Sequence, residues 1–115
     1  MREDDLIRLR HMLDAARDAL LFVEGRRRED LDSDRMLVLA LIKSGEIVGE
    51  AGARVSEDGR AEAPDVPWRE IVSMRNRLIH AYYDVNLDIV WSTIQSDLPP
   101  LISTLECALK DHETD

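Results

Sequence analysis

Three glycines, Gly45, Gly49 and Gly52, interrupt a segment that otherwise reads as one helix from about Arg35 to Ser56. At about 100° per residue they fall within roughly 60° of one another, on a single side. Each costs about 1 kcal/mol against alanine in a helix interior. Either a neighbouring helix, from this chain or a second copy, approaches closely along that strip, or the helix is locally weak or bent. Its first half, "RMLVLALI", is apolar nearly all round, as befits a helix central to a bundle.

The remaining segments follow the same period. "DLIRLRHMLDAARDALLFVEG" sets Leu6, Leu9, Leu13, Ala16, Leu20 and Val23 at helical spacing, with Gly25 as a C-terminal stop. Asp32 or Ser33 is placed to cap the glycine-bearing helix. "SEDGRAEAPDV" reads as an exposed loop, and Pro67 suits the first turn of a third helix. Asn86 is placed to cap "LDIVWSTIQSDL", and Pro99-Pro100 should bend the chain or restart it into a last helix ending near His112. The expectation is an all-α bundle of four to five helices forming one domain over residues 1–115. The 115 residues suffice for one core. No apolar run reaches the roughly 18 residues of a membrane span. The charged start "MREDDLIRLR" does not suggest export, so the chain is expected in the cytoplasm. The one cysteine, Cys107, lies in an apolar helical pattern and is expected to be a small buried hydrophobe in a reducing compartment.

Chemistry concentrates in "MRNRLIHAYYD", Met74 to Asp84. With Arg75 at zero on a helical wheel, Trp68, Ile71, Val72, Leu78, Ile79 and Tyr82 lie within about 60° of it. That places Arg75 at the centre of an apolar stripe, where an unpaired charge is severely penalised. Either it is buried against a carboxylate, with Glu46 or Glu50 as candidates, or the stripe opens there onto a cavity that binds an anion. His80 points about 140° away, sharing a polar side with Arg69, Ser73 and Asn76. For Arg75 and His80 to serve one phosphate, the helix must end near Ala81 or two copies of the segment must meet. Tyr83 projects about 100° from Tyr82, so the two should not share a cleft.

Metal chemistry finds no local signature: His11, His80 and His112 are scattered, without a His-Glu-x-x-His or Glu-x-x-His pattern. A formal charge of −9 opposes broad nucleic-acid binding, so any RNA contact needs a local basic patch. Arg26-Arg27-Arg28 and the trio Arg69, Arg75 and Arg77 are the candidates.

Arg75, four residues, His80, one residue, Tyr82 resembles the signature of HepT-type toxins in the HEPN superfamily of helical domains. "EIVGEAGARVS" resembles that family's second-helix segment, and "VPWREIVSMRNRLIHAYYDVNLDIVWSTIQSDLPPLI" its C-terminal half. The similarity covers nearly the whole chain and is weakest in the first 35 residues. It implies a HEPN-like bundle functional as a homodimer, with two motifs lining a shared cleft. It further implies a metal-independent endoribonuclease, without cofactor, acting as the toxin of a toxin–antitoxin pair. In that family the Arg and His of the motif are the catalytic pair, which carries over to Arg75 and His80. Its Tyr, here Tyr82, accepts AMP from an MNT-type nucleotidyltransferase antitoxin. Asn76 would orient the phosphate or the imidazole, and Arg77 and Arg69 are candidate RNA phosphate contacts. The alternative is a non-catalytic helical module that presents a nucleotide or substrate to a minimal nucleotidyltransferase, with Arg75 as anion ligand. A plain interaction bundle, with Arg75 in a structural ion pair, is the third.

Overall fold

The computed structural model describes residues 1–113. Four long helices carry the fold: α1 (Glu3–Val23), α3 (Arg35–Arg54), α5 (Trp68–Tyr83) and α6 (Leu87–Glu113). Two short ones, α2 (Asp30–Ser33) and α4 (Glu57–Glu62), occupy connections. The chain is therefore all-α, as expected. Its core joins Leu9 and Met12 of α1, Leu41 and Val48 of α3, Met74 and Leu78 of α5, and Val90, Ile94, Leu98 and Leu105 of α6. Each such fully buried side chain stabilises the fold by about 1.5–3 kcal/mol.

The glycine strip belongs to the intramolecular reading. A β-carbon on Gly49 would lie 2.7 Å from Cβ and Cγ of Arg75, and one on Gly45 would strike the Leu78 side chain. One on Gly52 would meet Met12 Cε at 3.2 Å and Ile71 Cγ2 at 3.3 Å. Helices α3 and α5 therefore run antiparallel in close contact, with α5 side chains resting on bare α3 backbone.

Several connections differ from expectation. Asp34, not Asp32 or Ser33, caps α3, accepting from the Leu37 N–H at 3.0 Å. The polar stretch after α3 is not a plain loop, because Asp5 organises it. Buried to 2% exposure, Asp5 accepts from the Ser56 N–H at 2.9 Å and the Ser56 hydroxyl at 2.6 Å. Ser56 Oγ in turn accepts from the Gly59 N–H, which starts α4. Nor do Pro99 and Pro100 end a helix: α6 continues through both. Both rings face solvent, so the carbonyls deprived of an N–H partner can be hydrated. Cys107 is exposed rather than buried, on the outer side of α6.

Gly25 ends α1 with φ of +71°, and Asn86 caps α6 through the Ile89 N–H at 3.3 Å, both as expected. The turn between α5 and α6 carries strain. The Asn86 N–H donates to the Ala81 carbonyl at 2.7 Å and the Val85 N–H to that of Tyr82 at 3.2 Å. This pairing puts Val85 where helices usually place glycine, and its φ is +56°. A β-branched residue in that region is a backbone outlier.

Candidate active site

Helix α5 presents the motif in three directions. Ile71, Met74, Leu78 and Ala81 are buried, whereas Val72 is 42% exposed and Ile79 half-buried. The buried face is thus turned away from the wheel's centre, because α5 packs against both α3 and α6. Arg75 sits at the edge of that face rather than in its middle. Arg69, Ser73, Asn76 and His80 form the exposed polar side, as anticipated.

Arg75 reaches this edge by laying its aliphatic stem over Gly49, where any other residue would push it off. Its Nη1 donates to Asn76 Oδ1 at 3.2 Å, and its buried Nε has no hydrogen-bond partner. Among the described residues no carboxylate pairs with it; Glu46 is engaged with Lys43 at 3.9 Å instead. The expected alternative of a buried Arg–carboxylate pair is therefore not what the fold builds. The Nε–H is shut off from solvent, whereas the Nη end lies on the exposed side beside Asn76, so any oxyanion would have to be met by the Nη groups.

His80 is exposed and makes no side-chain hydrogen bond among the described residues. Helix α5 ends at Tyr83, two residues past Ala81, but it stays regular through Arg75 and His80. Within one chain the imidazole and the Arg75 guanidinium therefore leave the helix on different sides.

Tyr82 falls about 20° from Arg75 and roughly 10 Å along the axis. Its hydroxyl accepts a hydrogen bond from Arg35 Nη2 at 3.1 Å. Tyr83 stands edge-on to Tyr82, ring centroids 5.6 Å apart, and both rings line one groove of about 500 Å³ with Arg35, Val38 and Val85. The wheel had separated the two tyrosines. At the end of the helix both are long enough to lean over the same opening, so direction at Cα does not decide which cleft a ring reaches.

The other arginines are largely committed. Arg26 binds Asp34 at 2.7 Å and Asp30 at 3.4 Å, and Arg28 binds Asp32 at 3.0 Å and also Asp88. The Arg26 guanidinium holds the Asp34 carboxyl below its usual range, with the Leu37 N–H adding to the effect. Arg77 pairs with Asp97 at 3.0 Å. The Arg26-Arg27-Arg28 run is thus a clamp between α2, α3 and α6 rather than a free basic patch. Arg69 and Arg75 have no carboxylate partner among the described residues, and neither does Arg35, which sequence reasoning missed. Its signal was there: an arginine opening a helix opposes the macrodipole and needs another reason to be present. No cluster of His, Cys, Asp or Glu suited to a metal occurs among the described residues, and no described helix is long and apolar enough to cross a membrane.

Known proteins resemble this chain over most of its length. Residues 12–108 match the family described as "Ribonuclease HepT-like". A protein of Thermococcus cleftensis named "Probable ribonuclease HepT" is 38% identical over 78 residues, covering 68% of this chain and 71% of the relative. Two proteins named "Putative RNase" are also similar. That of Caldanaerobacter subterraneus is 39% identical over 81% of this chain and 83% of its own length. That of Methanocaldococcus jannaschii is 32% identical over 83% and 87%. No solved structure matches.

Proposed function

The chain belongs to the HepT-like ribonuclease family, and from that premise we propose that it is a metal-independent endoribonuclease, the toxin of a toxin–antitoxin pair, working as a single helical domain. The observation that carries the reading is Arg75: half-buried, seated on Gly49 and without a carboxylate partner among the described residues. An arginine so placed can take two oxygens of a phosphodiester and stabilise charge building on them.

The substrate supplies its own nucleophile. The ribose 2′-hydroxyl attacks the adjacent phosphorus, the P–O5′ bond breaks, and a 2′,3′-cyclic phosphate and a 5′-hydroxyl remain. His80 removes the 2′-hydroxyl proton or delivers one to the leaving oxygen, a role suited to an imidazole near neutral pH. Asn76, already bonded to Arg75, orients the guanidinium or the phosphate. Arg69 adds a phosphate contact on the His80 side, and Arg77 adds one only by releasing Asp97.

Since α5 is continuous, one chain does not aim both groups at one phosphate, and a homodimer meets that demand. Val72 and Tyr83, 42% and 77% exposed, flank Asn76 and His80, while Met36, Leu39 and Ile47 leave apolar surface on the neighbouring α3. Pairing of two such faces brings Arg75 of one protomer toward His80 of its partner. Control comes from an MNT-type nucleotidyltransferase antitoxin that transfers AMP to Tyr82, placing a bulky anion on the same edge of α5 as Arg75.

A second reading, the non-catalytic partner of a nucleotidyltransferase, draws on the net charge of −9 and on the pairing of Arg26, Arg28 and Arg77 with carboxylates. The test is product analysis after incubation with RNA in chelator. Cyclic phosphate ends that vanish in His80→Ala support the ribonuclease. Products with 5′-phosphate ends would sink this mechanism, and absence of cleavage by the wild type would favour the second reading.

A further inference from the structure

The groove beside Tyr82 holds more than an acceptor phenol. Arg35 donates to the Tyr82 hydroxyl at 3.1 Å while pairing with no carboxylate among the described residues. It stands in the first turn of α3, where its charge gains nothing from its own helix. Asp32, the acidic group on the same rim, is occupied by Arg28 at 3.0 Å. The groove's volume of about 500 Å³ falls within the 300–1,000 Å³ of small-ligand sites. Leu31, Val38 and Leu87 give it apolar walls, and Tyr83 gives it an aromatic face. Val85 is held at its mouth, 77% exposed and at φ of +56°, where glycine would be unstrained. A strained residue kept at the lip of a cavity points to use rather than to economy of folding.

We infer that Arg35 and this groove form the seat of an adenylate carried on Tyr82, with the guanidinium binding the phosphodiester and the apolar and aromatic walls receiving the purine. The inference rests on the proposed AMP transfer and adds where the adenylate goes and which residue holds it. In the transfer, the phenolic oxygen attacks the α-phosphorus of ATP, an aryl–O–P bond forms, the bond to the bridging oxygen breaks, pyrophosphate leaves, and the phenolic proton passes to a base on the transferase. The product bears one negative charge on oxygens two bonds from the phenolic oxygen Arg35 already contacts, so that guanidinium can swing from phenol to phosphate with little movement. Held there, the adenylate is ordered against α2 and α3 rather than free in solvent. Arg35 is a positioning residue and takes no part in RNA cleavage.

The test uses full-length chain co-produced with the nucleotidyltransferase, in wild-type, Arg35→Gln and Arg35→Lys forms. Mass spectrometry reads the AMP on Tyr82, thermal melting reads folding, and snake-venom phosphodiesterase reads protection of the linkage. Wild type should be cleaved slowly, Arg35→Gln at least about fivefold faster at an unchanged Tm, and Arg35→Lys in between, since lysine keeps the charge but not the fork. The modified wild type should melt higher than the unmodified, and Arg35→Gln should lose that gain. Equal release rates and equal gains in Tm for wild type and Arg35→Gln overturn the seat while leaving the modification intact. Absence of AMP from Tyr82 in the wild type overturns both.

Discussion

Replacing Gly49 by alanine asks whether the seat of Arg75 is a functional device. The added methyl carbon would lie 2.7, 2.7 and 2.8 Å from Cβ, Cγ and Cδ of Arg75. Ordinary carbon–carbon contact is about 3.5–4.0 Å, so the whole stem must retreat by about 1 Å. Two terms oppose each other in stability. Alanine gains about 1 kcal/mol of helix propensity, and overpacking costs about 1–3 kcal/mol. The net lies between no change and a loss of about 2 kcal/mol, or up to roughly 8 °C in Tm at about 4 °C per kcal/mol. Activity has no such compensation, since a reacting group displaced by about 1 Å costs on the order of 100-fold. Gly52→Ala makes the same chemical change one turn away, against Met12 and Ile71 at 3.2–3.3 Å, and should leave cleavage at the wild-type level. Gly45→Ala strikes Leu78, which is fully buried, and should lower Tm without touching the guanidinium. The assay is RNA cleavage rate at a temperature where all three variants are folded, beside their melting curves. If Gly49→Ala cleaves within about threefold of wild type, or if rates simply follow Tm across the three, the close seat has no role in catalysis.

Three further outcomes follow from the same geometry. His80→Ala and Arg75→Ala should each reduce cleavage at least about 100-fold; His80→Ala should leave Tm unchanged, and Arg75→Ala should fall short of the 3–5 kcal/mol lost when a buried ion pair is broken. Unfolding of Arg75→Ala would restore the structural ion-pair reading. Val85→Gly should stabilise by about 1 kcal/mol in thermal melts, since the left-handed conformation costs an L-residue roughly 1–2 kcal/mol; a lower Tm would show that the valine side chain compensates its strain. Asp5→Ala should cost about 2 kcal/mol by leaving the Ser56 N–H and hydroxyl unpaired. Burial pushes the Asp5 carboxyl up, but the Ser56 hydrogen bonds, helped by the Arg2 and Arg8 charges, outweigh it and hold the group below its ordinary value. Its stabilisation is therefore complete above that ordinary value and fades as the pH falls through the lowered folded one. Acid titration of stability should show this fading in wild type and lose it in Asp5→Ala.

What was legible in the sequence depended on whether a signal was local. Periodicity and caps found α1, α3 and α5 and the start of α6, though they divided α6 at its prolines, and Gly25 and Asn86 ended and began helices where their chemistry says they should. The glycine strip left close packing and a weak or bent helix open, and only the fold decides between them and names Leu78, Arg75 and Ile71 as what lies on it. The wheel misplaced Arg75 because it ranked Val72 and Ile79 with the core and left out Met74 and Ala81. Which apolar face is buried depends on two partner helices, α3 and α6, that a single segment does not encode. Helix α4 was missed for the same reason, since the carboxylate that organises it is 51 residues upstream in Asp5. Arg35 and Tyr82, 47 residues apart, meet only in the folded chain.

The carboxylates on Arg26, Arg28 and Arg77 also limit how this protein meets nucleic acid. Binding to single-stranded RNA gains its strength from counterions released, at about 0.7 per phosphate neutralised in the logarithmic salt slope. With Arg69 and Arg75 as the uncommitted cations of the proposed cleft, a pair of protomers offers four contacts and a slope of at most about −3. Such an enzyme does not accumulate along RNA by charge. The proposed cleft should therefore bind RNA with a shallower salt dependence than a broadly basic surface, which leaves discrimination between strands to contacts other than charge.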